Sequence, residues 1–271
     1  VKIWESKPGA SLPSCIGADG TVYLGGESGG NVYALYGMTG AKKWVLREAA
    51  NCSEWAAIGV DGTVYVGLYD NRGRKVCAVD GKTGAKIWES ITESRPDNAV
   101  AIGLGGTIYI GSSDPDDKLY ALHGKTGAKQ WEFKIRLYDG NSPAIGVDGT
   151  VYVGSFYGKA YALDGKTGVK KWEFISGDKI NAFSMPAIGD DGTLYFGSEE
   201  GKVYALDERT GAKKWIFETG ESNDFLTAPT MGRDGTLYFG SQKGKVYALK
   251  TSSKGPAKSP WPMRGQNAQH T

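Results

Sequence analysis

The residues able to do chemistry are few, and their spacing assembles no common catalytic or metal-binding pattern. Three thiols, Cys15, Cys52 and Cys77, show no C-x-x-C spacing, so they form neither a zinc site nor a disulfide framework. His123 and His270 are the 2 histidines, too few for a histidine-rich metal centre. Asp114-Pro115-Asp116-Asp117 gathers oxygens of the kind calcium favours. It lacks the glycine and terminal glutamate of a helix-loop-helix calcium loop, and a solvated turn fits it as well. Residues 25–30 (G-G-E-S-G-G) are glycine-dense, but they join two extended runs and open no helix, so they are no phosphate loop. No nucleophile elbow or zinc-hydrolase motif is present. Carboxylates are frequent in the loops, and a polysaccharide-acting enzyme stays open because spacing alone does not set their separation.

Composition narrows the classes. The chain has 271 residues, 40% of them apolar and 23% charged, which suffices for a packed core. A net charge of +2 argues against a dedicated nucleic-acid or membrane-surface binder. No apolar run approaches the length of a membrane-spanning helix, and residues 1–6 do not read as a secretory leader. Glycine is abundant, at 41 residues, while proline is only 10, which excludes collagen-like repeats. The 15 tyrosines and 8 tryptophans favour strands over helices.

The elements that position these residues come from a repeat. Asp-Gly-Thr or a variant of it ends at Thr21, Thr63, Thr107, Thr150, Thr193 and Thr236, a period of 42 to 44 residues. A tryptophan recurs at Trp4, Trp44, Trp88, Trp131, Trp172 and Trp215. Within one unit, T-V-Y-V-G, K-A-Y-A-L-D and V-K-K-W-E-F alternate or carry β-branched and aromatic residues, and glycine-containing turns separate them. No segment holds helical periodicity. Each unit therefore predicts a four-stranded antiparallel meander, and the chain an all-β, six-bladed β-propeller. The first unit is preceded by a lone fourth-strand tryptophan, and the last unit ends after three strands. Residues 1–7 are accordingly expected to complete the sixth blade and close the ring, with residues 1–250 as one propeller and 251–271 as a tail, either packed on its outside through Trp261 or a cut linker.

The pattern Ala-x-Asp-x-x-Thr-Gly-x-x-x-Trp stands complete as Ala78, Asp80, Thr83, Gly84 and Trp88. It recurs at Ala162, Asp164, Thr167, Gly168 and Trp172, and at Ala205, Asp207, Thr210, Gly211 and Trp215. It resembles the tryptophan-docking motif of pyrroloquinoline-quinone-type (PQQ-like) propeller repeats, and the resemblance spans nearly the whole chain. It implies that each indole lies flat over backbone of a neighbouring blade. Tyr36 and His123 replace the aspartate in the first and third units, and His123 is read as a turn residue. In this family, quinone-dependent dehydrogenases resemble eight-bladed propellers with adjacent cysteines and a calcium site. This chain has six repeats and no adjacent cysteines, so neither PQQ nor calcium is expected. Other members are non-enzymatic interaction domains, which implies an extracytoplasmic scaffold, secreted, periplasmic or on the cell surface.

The Asp-Gly-Thr and Gly-Lys-Thr-Gly turns repeat almost unchanged, whereas the loops at the opposite ends of the strands vary. A rigid scaffold carries specificity on such variable loops. The candidate binding face holds Glu54, Trp55, Asn98, Arg136, Tyr138, Asn141, Phe183, Ser184, Phe225 and Thr227. Within it Ser11, Glu54, Asn98, Asn141, Ser184 and Thr227 share one repeat position and are all polar. They either cap strand starts or ring a small-ligand site at the channel mouth. The aromatics either meet a partner or fold back over the channel. The expected activity is non-catalytic binding of a protein or a carbohydrate, by a monomer or a part of a larger multidomain chain. The alternative is a quinone-dependent dehydrogenase or a polysaccharide-acting enzyme.

Overall fold

The computed structural model describes residues 3–5, 12–25, 31–47, 51–70, 73–93, 96, 99–112, 117–137, 141–177, 182–221 and 224–263, without the side chains of 12–14, 51–55, 70 and 73. Its strands follow the alternating runs. Sheet one comprises Leu12–Ile16, Thr21–Gly25, Asn31–Tyr36 and Lys42–Arg47. Sheet two comprises Asn51–Ile58, Thr63–Asp70, Gly73–Asp80 and Lys86–Ile91. Sheet three has Ala101–Ile102, Thr107–Ser112, Lys118–His123 and Lys129–Lys134. Sheet four has Ala144–Ile145, Val151–Gly154, Lys159–Leu163 and Lys170–Ile175. Sheet five has Ala187–Ile188, Thr193–Gly197, Lys202–Asp207 and Lys213–Glu218. Sheet six has Thr230–Met231, Thr236–Gly240 and Val246–Lys250. Within each sheet the strands pair antiparallel with their chain neighbours, and one short 3-10 turn at Leu104–Gly106 is the only helical element among the described residues. The architecture is the all-β propeller that the repeat predicts.

The turns are set by side-chain chemistry. Asp148 Oδ1 accepts from the Thr150 N–H at 2.9 Å and its Oδ2 from the Thr150 hydroxyl at 2.7 Å, while Gly149 supplies a φ of 83°. Between the third and fourth strands, Asp80, Asp164 and Asp207 each accept from the N–H and the hydroxyl of the threonine three residues on. His123 takes the same place in sheet three, with Nδ1 3.2 Å from the Thr126 hydroxyl.

The core lies between sheets. Four apolar clusters each join neighbouring sheets, such as Tyr152, Ala160 and Ala162 of sheet four with Phe196, Tyr204 and Leu206 of sheet five. First strands touch between sheets one and two, three and four, and five and six, as the inner strands of a propeller do. Among the described residues sheet six has three strands, and residues 3–5 belong to no sheet. Val1, Lys2, Ser6 and Lys7, the rest of the expected closing strand, lie outside the described residues. Val246 is 81% exposed and Tyr238 43%, whereas the matching tyrosines of the other five sheets are buried.

The segment after residue 250 corrects the expectation of outer packing. In place of a Gly-Lys-Thr-Gly reversal the chain runs Lys250-Thr251-Ser252-Ser253, and Asp190 of sheet five's turn captures it. The Asp190 carboxylate accepts from the Ser253 hydroxyl at 2.7 Å and the Lys254 N–H at 2.8 Å. From there the segment turns inward. Ala257, Trp261 and Met263 are buried in three different core clusters.

Candidate interaction face and the contacts that build it

The repeated tryptophans are held by the sheet that follows them. In each complete sheet the tryptophan sits opposite an alanine of the third strand (Ala34, Ala78, Ala121, Ala162 or Ala205), beside a register shift. Such a bulge re-aims a side chain, and the unhindered alanine leaves room for the indole. Trp44 Nε1 donates to Gly81 O at 2.9 Å, Trp88 to Gly124 O at 2.6 Å, Trp131 to Gly165 O at 2.9 Å and Trp172 to Glu208 O at 2.9 Å. Trp4 does the same to Gly37 O at 2.7 Å. A tyrosine of the same sheet shares three of these acceptors. Tyr23 donates to Gly81 O at 3.0 Å, Tyr65 to Gly124 O at 3.3 Å and Tyr109 to Gly165 O at 3.0 Å. The Thr-Gly glycines lie beneath the indoles, so a Cβ on Gly168 would come 2.8 Å from the Trp131 ring.

On the variable face, the residues named from sequence fall into three groups. The side chains of Glu54 and Trp55, and all of Asn98 and Tyr138, lie outside the described residues. Asn141, Phe183 and Ser184 are buried within the wall. Asn141 Nδ2 donates to Phe183 O at 2.7 Å, and Ser184 Oγ accepts from Gly197 N at 3.0 Å. Phe183 packs among Phe174, Phe196 and Tyr204, so it joins the core rather than the surface. Thr227 Oγ1 accepts from Gly240 N at 2.9 Å, and Phe225 is half-buried with its carbonyl accepting from Gln242 N at 3.1 Å. The described members of the polar ring thus fasten strand starts to neighbouring backbone.

Arg136 is different. It is exposed, and its guanidinium lies 5.0 Å from the Phe156 ring centroid and donates to Tyr157 Oη at 3.3 Å. Phe156 and Tyr157 meet edge-on at 5.5 Å, and Phe156 N donates to Arg136 O at 2.9 Å. The loop after sheet three and the strand-two to strand-three loop of sheet four are thereby locked together. Arg136 was named from sequence as part of the face. Phe156 and Tyr157 lie on the same variable loops, but nothing in the spacing reveals that they meet Arg136.

Two grooves were not legible in the sequence. One, of about 360 Å³, is lined by Asp148, Thr150, Tyr152, Lys171, Glu208 and Arg209 between sheets four and five. Glu208 stands where other units have glycine. Burial, then the nearby Asp148 and Asp207, push its carboxyl above the usual range. A second, of about 660 Å³, lies on sheet one beside Ile16, Tyr36, Met38 and Lys43. There Asp19 is held at about 2 by the Thr21 N–H, the Thr21 hydroxyl and Lys43. Neither groove brings a nucleophile to a base. Cys15 and Cys77 are packed in apolar surroundings, and burial pushes the Cys15 thiol up to about 12, which keeps it protonated. They do not form the adjacent pair of the quinone-dependent relatives. Among the described residues no cluster of three histidine, cysteine or acidic side chains could hold a metal.

The family of the outer membrane protein assembly factor BamB matches residues 2–108 and 115–254. Among solved structures, BamB from Moraxella catarrhalis superposes with a TM-score of 0.68 at 24% identity, over 93% of this chain and 77% of that one. The computationally designed Ika8 protein superposes at 0.70 with 16% identity, over 89% and 71%. The quinohemoprotein alcohol dehydrogenase ADHIIG from Pseudomonas putida HK5 superposes at 0.60 with 17% identity, over 86% of this chain and 52% of that enzyme. These likenesses establish the fold. No curated protein sequence matches the chain.

Proposed function

The chain belongs to the family of PQQ-like repeat proteins described by the assembly factor BamB, and from that premise we propose that it is a non-catalytic module that binds a protein partner through its loop face, outside the cytoplasm. The cluster of Arg136, Phe156 and Tyr157 carries this reading. Arginine beside tyrosine is the side-chain combination that dominates protein–protein hot spots. Here the two are pre-ordered, so binding does not have to immobilise them. The buried Asn141 and Ser184 fix the wall beneath them. A protein partner is favoured over a glycan because the guanidinium covers the Phe156 ring, which leaves Tyr157 as the cluster's one half-exposed ring.

A photo-crosslinking residue placed at Tyr157 tests this in envelope extract of the source organism, with Met38 on the opposite turns as the control position. A discrete adduct from 157 and none from 38, lost at least tenfold on Arg136→Ala, is the expected result. Equal labelling from both positions overturns the face. Turnover of alcohols after loading with quinone and calcium overturns the non-catalytic reading.

A further inference from the structure

The joint between sheets four and five is built differently from those before it. In sheets one to four the turn between the third and fourth strands carries Gly37, Gly81, Gly124 or Gly165. A Cβ on any of them would come within 2.4 Å of the carbonyl oxygen of the turn glycine before the second strand. Sheet five carries Glu208 at this place, with its N–H donating to Gly192 O at 3.0 Å. The side chain folds back over that turn, so that a Cβ on Gly192 would lie 3.2 Å from Glu208 Oε1.

The substitution changes both sides of the joint. Tyr23, Tyr65 and Tyr109 donate to the glycine carbonyl that their tryptophan also uses. Tyr152, their counterpart, makes no such bond among the described residues and lines the groove of about 360 Å³ instead. Trp172 alone holds the turn, through Nε1 to Glu208 O at 2.9 Å and by lying over Gly211. The carbonyl that seats the indole and the carboxyl in the groove therefore belong to one residue.

No cation answers that carboxyl among the described residues. Lys171 Nζ is engaged with the Thr150 hydroxyl at 2.6 Å and Asp148 at 3.3 Å. Lys214 Nζ is engaged with the Thr193 hydroxyl at 2.8 Å and Gly192 O at 3.4 Å, and Arg209 is exposed. The acids facing Glu208 are Asp148 of sheet four and Asp207 and Asp191 of its own sheet. Burial, then Asp148 and Asp207, hold its carboxyl above the usual range, and Lys214 offsets this only in part. A charge forming there is relieved by moving the turn outward, and the groove leaves room for that movement.

The geometry points to a pH-operated joint: with Glu208 protonated its turn stays seated under Trp172, and with Glu208 charged the turn swings into the groove and sheets four and five loosen there. The folded value lies above the unfolded one, about 4.3. The stability contributed by the neutral carboxyl is therefore complete below the unfolded value and is lost as pH rises through the folded value. Asp80, Asp164 and Asp207, which hydrogen bonds hold low, act with the opposite sign.

Indole N–H exchange of Trp172, measured by NMR on the full chain as a ratio to that of Trp131, tests this. Trp131 docks on Gly165 O in a glycine-type joint, and the ratio cancels the intrinsic pH dependence of exchange. Between pH 4 and pH 8 the ratio is expected to rise roughly threefold or more in the native chain. It should stay flat in Glu208→Gln, which keeps the shape without the charge, and in Glu208→Gly, which restores the residue of the other joints. The midpoint of the rise should coincide with that of the Glu208 carboxyl carbon shift. A flat ratio in the native chain overturns the proposal, and so does an equal rise in either variant. A midpoint set apart from the Glu208 titration assigns the loosening to another group and overturns it as well.

Discussion

Trp131 and Trp215 stand at the same place in their sheets, opposite Ala121 and Ala205, yet they meet different neighbours. Trp131 is 8% exposed and shares Gly165 O with Tyr109. Trp215 keeps its tyrosine, with ring centroids 5.7 Å apart, but sheet six has Lys250-Thr251-Ser252 where the Gly-Lys-Thr-Gly turn would be. Among the described residues Trp215 has no backbone acceptor, and the Tyr195 hydroxyl is buried without a partner. The donors belong to one repeat and the acceptor to the next. A docking motif complete within its own unit is therefore only half of an interface.

The largest expected effect separates these two tryptophans. Trp131→Ala should cost about 3–5 kcal/mol by denaturant unfolding, in the range of buried aromatic truncations. Trp215→Ala should cost less than half of that, and equal losses would mean that the shared carbonyl contributes nothing. Next comes the bed of the indole. Gly168→Ala imposes a left-handed alanine at φ 73° and a clash with Trp131, whereas Gly20→Ala, at φ 76° in open space, imposes the strain alone. The second should cost ~1–2 kcal/mol and the first clearly more, read as a difference in Tm.

The hydroxyls give a smaller contrast. Tyr109→Phe removes a hydrogen bond and should lose about 1 kcal/mol, while Tyr195→Phe removes an unpartnered group and should be neutral or stabilising. A loss at both positions would show that Tyr195 has found an acceptor. Smallest is the response to acid. Hydrogen bonds from the Thr83 N–H, the Thr167 hydroxyl and the Thr210 hydroxyl lead in holding Asp80, Asp164 and Asp207 below their usual range. A lowered folded value stabilises the protein above the unfolded value, about 3.9, and this contribution is lost as pH falls through the folded value. Amide exchange compared at pH 5 and pH 3 should therefore loosen the third turns of sheets two, four and five. Those of sheets one and three, which carry Tyr36 and His123, should change less.

What the sequence disclosed follows from locality. Alternation, Asp-Gly turns and the Ala–Trp pairing are neighbour effects, so the sheets and their order could be read directly. Burial of Phe183 was not legible, because a loop aromatic and a core aromatic have the same local pattern and only Phe174 and Tyr204 of the adjoining sheets decide between them. Asn141 and Ser184 share one repeat position in the sequence, but their partners are main-chain atoms that no side-chain pattern reports. The path of the tail depends on Asp190, more than sixty residues earlier, catching Ser253. Glu208 carries no local signal, because a glycine replaced in one copy looks like drift unless Asp148 is known to lie beside it.

The shared carbonyl also bears on how such a chain can grow. In sheets one to three a tryptophan–tyrosine donor pair meets one acceptor glycine in the turn of the next sheet, so these three junctions are built alike. A duplicated unit arrives with its joints already matched, and the angle each unit adds around the axis limits the count rather than any need to redesign contacts. Divergence can then collect where no junction looks, on the loops around Arg136, while the joints stay alike from copy to copy.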